Sequence, residues 1–97
     1  MAKNGRDLIV VIPVYNEEDS IGHVIQEWTI PLETLNVDYR FLIINDGSTD
    51  GTKAKLAQLK HQFQVIDVID KTNSGHGQSC IVGYKEAISR QARWVLQ

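Results

Sequence analysis

Residues 8–14 read LIVVIPV, and residues 39–45 read YRFLIIN. Each is a short apolar run rich in β-branched side chains, without the polar alternation of a strand that faces water on one side. Such runs suit strands covered on both faces, as in the middle of a parallel sheet. Working outward, Ile21, Val24, Ile25 and Trp28 fall at i, i+3, i+4 and i+7, the stripe of an amphipathic crossover helix. Asn16, Asp19 and Ser20 are its candidate N-caps, and Pro31 is expected to stop it. After the second run, DGSTDGT at 46–52 supplies turn residues and a cap for a helix over 52–63, with its inner face at Leu56, Leu59 and Phe63. A third strand is predicted at 65–70. The polar loop KTNSGHG at 71–77 then opens a helix to about residue 91, with Ile81, Tyr84 and Ile88 aligned, and a fourth strand starts at 93–97. This βαβαβαβ order predicts an α/β fold, a Rossmann-like parallel sheet with flanking helices and strand order 3-2-1-4.

The 97 residues allow one compact unit at most. An apolar fraction of 42% and a charged fraction of 23% argue against disorder and against a fibrous repeat. Ten Lys and Arg against twelve Asp and Glu give a net charge of -2, without the basic excess of a nucleic-acid binder, so no nucleic-acid partner is expected. Cys80 has no second cysteine to pair with, and His23, His61 and His76 stand at unrelated spacings, so neither a disulfide nor a zinc cluster is expected. No apolar run approaches the ~18–20 residues of a spanning helix. The expected setting is a soluble, unprocessed segment in the reducing cytoplasm, with a membrane surface as the alternative location.

In a parallel sheet the loops that follow the strands emerge on one edge, where open α/β sheets bind ligands. Here those loops are Tyr15–Asp19, Asp46–Gly51 and Asn73–Gly77, the most polar and glycine-rich stretches of the chain. Each has a purely structural explanation. Asn16 and Ser48 or Thr49 can cap helices, Gly47 and Gly51 can serve as turn residues with positive φ, and Glu17 and Glu18 suit a helix N-terminus. Together they also suit a ligand, because carboxylates at two strand exits can accept from ribose hydroxyls or a base N–H, while a glycine-rich helix start suits phosphates. The order G-H-G-Q-S-C at 75–80 lacks the third glycine of a dinucleotide fingerprint, and no G-K-[ST] closes a P-loop. Neither NAD nor an ATPase is indicated.

VVIPVYNEEDSI at 10–21, LIINDGSTDGT at 42–52 and NSGHGQSCIVGYKEA at 73–87 resemble, in order and spacing, the opening motifs of the family 2 glycosyltransferases with the GT-A fold. That group includes the polyprenyl-phosphate sugar transferases. The resemblance implies that Pro13, Tyr15 and Glu17 line a nucleotide, that Ile44 and Asp46 hold its base and ribose region, and that Gly75 and Gly77 lie near the diphosphate. Asn45 departs from a position that is often a second Asp, which leaves Asp46 as the acid to rely on. The implied ligands are a UDP- or GDP-sugar and an acceptor such as a polysaccharide or a polyprenyl phosphate. A divalent cation, Mg²⁺ or Mn²⁺, is expected in the full-length enzyme, held by a D-x-D motif beyond residue 97, and the catalytic base is expected there too. Residues 1–97 are therefore expected to be the N-terminal half of the catalytic domain, with no catalytic or metal residue of their own, inactive alone and prone to self-association through an open sheet flank. A non-catalytic nucleotide-binding module and a truncated product without activity are the alternatives.

Asp50 and Asp70 are assigned to a helix first turn and a strand end rather than to a metal. Trp28 and Trp94 read as core or interface aromatics, His23 and His61 as helix-surface residues, and Cys80 as a small buried side chain. His76, between two glycines, is divided evenly between a phosphate contact and simple exposure.

Overall fold

The computed structural model of the chain describes residues 3–97. Its elements are β1 (Leu8–Val14), α1 (Ile21–Leu35), β2 (Tyr39–Asp46), α2 (Thr52–Gln62), β3 (Ile66–Lys71), α3 (His76–Ser89) and β4 (Trp94–Leu96). The strands form one parallel sheet in the order β3-β2-β1-β4, as the apolar runs predicted.

Alternation along the two central strands divides the core in two. Leu8, Val10 and Val14 of β1 and Tyr39, Phe41 and Ile43 of β2 pack with Ile21, Ile25 and Leu32 of α1 and with Leu56 and Leu59 of α2. Ile9 and Val11 of β1 and Leu42 and Ile44 of β2 form the other face, against Ala87 of α3. Both faces of both strands are thus buried, which is why neither run shows polar alternation.

Three expectations are corrected. Pro31 does not end α1, which continues through it to Leu35 and stops at Asn36 in the left-handed conformation, φ 55°. Leu32, buried directly after the proline, holds the next turn against the sheet, and this burial outweighs the lost hydrogen bond at an exposed position. Of the predicted inner face of α3, Tyr84 does pack, partly buried, against the core, but Ile81 and Ile88 do not: they are 45% and 70% exposed, and the buried residues are Ser79, Cys80, Gly83 and Ala87. The reason is close approach, since a Cβ at Gly83 would lie 2.2 Å from Val11 Cγ1. Of the two readings of Trp94, core or interface, the core one falls, since it is 68% exposed on the edge strand β4, whereas Trp28 packs half-buried against the α1 and α2 side. Cys80 is buried, as expected.

The end of α3 is tied to the sheet by charge. Asp67 on β3 accepts from Arg40 Nε on β2 at 2.8 Å and from Arg90 Nη1, just after α3, at 2.7 Å, and Arg90 Nε also reaches Glu86 at 2.8 Å. Burial pushes the Asp67 carboxyl up, but the two guanidinium groups outweigh it and hold the group below its usual range.

The close approach of α3 generates a prediction. Helix propensity alone favours alanine over glycine by ~1 kcal/mol, so Gly83→Ala would stabilise an open helix. Here overpacking against Val11 is expected to lower the unfolding free energy by about 1–3 kcal/mol, while Ile88→Gln changes it by less than about 0.5 kcal/mol. Urea denaturation of both variants checks this, and a Gly83→Ala protein as stable as the parent would contradict the packing described.

Candidate functional site

The register of the strands decides which polar side chains meet at their carboxyl ends. Asn45 is paired with Asp70, and Asp46 with Lys71. Because side chains alternate, Asn45 continues the α1 and α2 side of β2, and Asp46 continues the α3 side after Leu42 and Ile44. The two residues accordingly belong to two separate hydrogen-bond systems.

Asn45 Nδ2 donates to Asp70 Oδ1 at 3.0 Å, and Ser48 Oγ donates to Asn45 Oδ1 at 2.6 Å. Ser48 Oγ in turn accepts from the backbone N–H of Asn16 at 3.0 Å. The Asn16 side chain is not a cap of α1, as its position had suggested. With φ at 54°, it turns toward the second loop and accepts from Thr49 N at 2.8 Å and Asp50 N at 3.3 Å. Ser48 and Thr49 do not cap α2, whose N-cap is Gly51; the Asp50 carboxylate, one residue earlier, accepts from Thr52 N at 2.9 Å and from the Thr52 hydroxyl. Thr52 Oγ1 also accepts from Glu17 N at 2.9 Å. Gly47 has the expected positive φ, 67°, and its missing Cβ leaves room for the backbone of Asn73. Gly51 does not, with φ at -81°; its place is kept by the Glu18 carboxylate, 2.4 Å from where a Cβ would stand. Asp19 and Ser20 give α1 no side-chain cap, and the Ser20 hydroxyl instead donates to Glu17 Oε2 at 2.6 Å.

Asp46 holds the third loop. Oδ1 accepts from Lys71 Nζ at 2.7 Å and from Ser74 N at 2.8 Å, and Oδ2 accepts from Gly75 N at 2.9 Å. The Asp46 backbone carbonyl accepts from Asn73 Nδ2 at 2.9 Å. The Lys71 ammonium, ahead of the opposing effect of burial and with help from the two backbone N–H groups, holds the Asp46 carboxyl below its usual range. An ionised carboxylate offers about four acceptor positions. The three donors leave one of them, on Oδ2, unspent.

Pro13, Val14, Tyr15, Glu17, Asp46, His76 and Ser79 line a cavity of about 220 Å³ at this edge. Pockets for drug-sized ligands run ~300–1,000 Å³, so this one has room for only part of a ligand of that size. Tyr15 presents a ring 47% exposed. Four of the residues singled out from sequence, Pro13, Tyr15, Glu17 and Asp46, are thus brought together, and His76, the first residue of α3, joins them. Ile44 is not: it is fully buried in the core beneath α3. Gly75, with φ at 99°, precedes the helix and Gly77 lies in its first turn; neither has any atom within 4 Å of a built Cβ, so the helix start faces open space. Lys71, Val14 and Ser79 were missed. Lys71 could have been found from the strand pairing, which sets it beside Asp46, but Ser79 carried no signal that separates it from an ordinary helix serine. A larger cavity of about 530 Å³ lies at the opposite edge, near Lys3, Asp7 and Asp38. There the Asp38 carboxylate is occupied with the N–H groups of Asn4, Gly5 and Arg6, which pin the segment leading into β1. Among the described residues no group of three or more His, Cys, Asp and Glu side chains could hold a metal ion, and no helix is long and apolar enough to cross a membrane.

The chain belongs to glycosyl transferase family 2, whose model matches residues 9–96. It is 32% identical, over 77 residues, to an undecaprenyl-phosphate 4-deoxy-4-formamido-L-arabinose transferase of Enterobacter sp. (strain 638), a match covering 77% of this chain and 24% of that protein. Its fold is similar to that of the mannosyltransferase PcManGT of Pyrobaculum calidifontis, solved in complex with GDP-Man and Mn²⁺, at a TM-score of 0.69 and 16% identity, covering 81% of this chain and 24% of the other. The chain therefore spans about a quarter of the length of these relatives. The matched fold is that of part of a GT-A glycosyltransferase.

The carboxylates give the site and its surroundings a defined acid response. Asp38, Asp46, Asp50 and Asp67 are all held below their ordinary range. A carboxyl that binds its proton less readily in the folded state contributes stability that is full above its unfolded value, near 4, and lost as pH falls through the lower folded value. The urea midpoint is expected to be level between about pH 7 and 5.5 and to fall below about pH 4. In Asp67→Asn it should start lower and fall less steeply. A midpoint that rises on acidification would contradict these assignments.

Proposed function

We propose that this chain is the nucleotide-binding part of a glycosyltransferase that uses a UDP- or GDP-sugar as donor and delivers the sugar to an acceptor hydroxyl or a lipid phosphate. The observation that carries this reading is the cavity at the strand exits, where the ionised Asp46 keeps one acceptor position free beside Pro13, Tyr15 and Glu17. Asp46 accepts from a base N–H or a ribose hydroxyl of the nucleotide. The exposed Tyr15 ring gives the base a flat apolar face, with Pro13 as the wall beside it. The diphosphate extends toward the start of α3. Its first N–H groups lack intrahelical partners, no side chain caps it, and Gly75 and Gly77 leave the approach open.

The transferases that the chain resembles support the substrate class: one is named for undecaprenyl phosphate, and the other was solved with GDP-Man. A divalent cation, Mg²⁺ or Mn²⁺, finds no ligand set among the described residues. What these residues do is bind and orient. They hold the nucleoside end of the donor so that, when an acceptor oxygen bonds to the anomeric carbon, the nucleoside diphosphate leaves from a fixed position.

Titration calorimetry of UDP and GDP into the parent, Asp46→Ala, Asp46→Asn and Glu17→Ala, with folding checked by circular dichroism, tests the reading. Both Asp46 variants are expected to weaken the preferred nucleotide by roughly ten- to a hundredfold. Glu17→Ala should weaken it by no more than that, because its carboxylate sits on an exposed loop and is shared with Ser20. A folded Asp46→Ala protein that binds within about twofold of the parent would reduce Asp46 to a loop brace and remove the centre of the proposed site.

A further inference from the structure

Ser79 is fully buried, and its Oγ is the one buried side-chain oxygen or nitrogen among the described residues without a hydrogen-bond partner. Other hydroxyls on the helices are satisfied locally. Thr29 and Thr34 donate to the carbonyls four residues back at 2.8 and 2.9 Å, and Ser89 donates to Glu86 O at 2.9 Å. The equivalent carbonyl for Ser79 is that of Gly75, which accepts only the Ser79 backbone N–H, at 3.1 Å. A buried hydroxyl left without a partner is costly and rare in native proteins. The partner it lacks is to be sought where Ser79 meets space, and that place is the cavity it shares with Pro13, Tyr15, Glu17, Asp46 and His76.

The chemistry of that wall shows what the hydroxyl would supply. Asp46 and Glu17 as carboxylates only accept hydrogen bonds, whereas a serine hydroxyl can donate one. A ligand edge that gives an N–H or O–H to Asp46 and carries an acceptor oxygen needs a donor for that oxygen. We infer that Ser79 is a ligand-binding residue whose hydroxyl donates to an acceptor oxygen of the nucleoside bound in this cavity, making the hydrogen bond that the empty site lacks. The inference rests on the nucleotide reading above and adds to it a polar contact from the first turns of α3. It also accounts for a serine in a stripe otherwise made of Cys80, Gly83 and Ala87, where only small size is needed.

The test measures binding and stability on the same proteins. UDP and GDP are titrated into the parent chain, Ser79→Ala and the near-isosteric Ser79→Cys, with Asp46→Asn alongside, and thermal midpoints are recorded without nucleotide. In both Ser79 variants the preferred nucleotide is expected to bind roughly three- to tenfold more weakly, the range for one neutral hydrogen bond. The nucleotide-free midpoint of Ser79→Ala should equal or exceed that of the parent, because the substitution removes an unpartnered buried group. If the parent binds, Asp46→Asn weakens binding and Ser79→Ala does not, the inference fails and the nucleotide reading stands. If the parent binds neither nucleotide, both fail together. A lowered midpoint in nucleotide-free Ser79→Ala would mean that the hydroxyl is already satisfied inside the fold, by an internal water for instance, and would overturn the inference on its own.

Discussion

The carboxylate of Asp46 gathers three donors that lie 25, 28 and 29 residues further along the chain. One is the Lys71 ammonium at the end of β3, and two are backbone N–H groups in the turn that launches α3. The turn has no regular structure, and its N–H groups would otherwise need water or a ligand. By holding them, Asp46 fixes where α3 starts, and the start of α3 sets one wall of the cavity. Lys71 makes the arrangement tolerable. It neutralises a carboxylate that is only 5% exposed, and it spends further hydrogen bonds on Thr72 O and the Ser74 hydroxyl, so the cation is bound into the same turn.

A second polar system on the opposite face of β2 fixes the other two loops to each other. Asn16 from the first loop accepts backbone N–H groups of the second, Ser48 reaches back to Asn45, and Asn45 reaches across to Asp70. The two systems meet through the backbone at two places, between Asn45 and Asp46 on β2 and between Asp70 and Lys71 on β3. Two adjacent residues at the end of one strand therefore organise three loops, because alternation sends their side chains to opposite faces. A one-residue slip in the pairing of β2 with β3 would exchange these roles and break both systems, so the register of the apolar strands and the geometry of the polar edge are one constraint.

The sheet was legible because burial on both faces leaves a compositional mark: LIVVIPV and the FLII centre of β2 hold only apolar side chains, and the charged and amide residues of β2, Arg40, Asn45 and Asp46, stand near its ends. The first two helices were legible from large apolar side chains at helical spacing. The third was assigned to the right residues, but of its predicted inner face only Tyr84 packs against the core. Its spacing rule looks for bulk, but against Val11 there is room only for Ser79, Cys80, Gly83 and Ala87, so Ile81 and Ile88 turn outward. Pro31 was misread for a related reason, since local backbone chemistry says stop while the burial of Leu32 says continue. At the candidate site, residue types singled out the edge where the strands end, and four of the named residues converge on one cavity there. Two further residues there were not legible: Lys71 meets Asp46 only through strand pairing, and Ser79 lines the cavity only because of the depth at which α3 sits.

The same closeness of α3 bears on how an anionic ligand could enter a cavity walled by acids. Glu17 and Asp46 would repel a diphosphate placed beside them, even with Lys71 offsetting one charge. The start of α3 carries the opposite polarity, with unpartnered N–H groups and the positive end of the helix dipole. On the proposed reading, these two surfaces impose a direction on the nucleotide. Its neutral, donor-bearing base and ribose turn toward the carboxylates and Tyr15, and its phosphates turn toward Gly75 and Gly77. The reverse placement would set phosphate against carboxylate and leave the helix start facing an apolar ring, so the arrangement of charge at the edge selects orientation as well as ligand class.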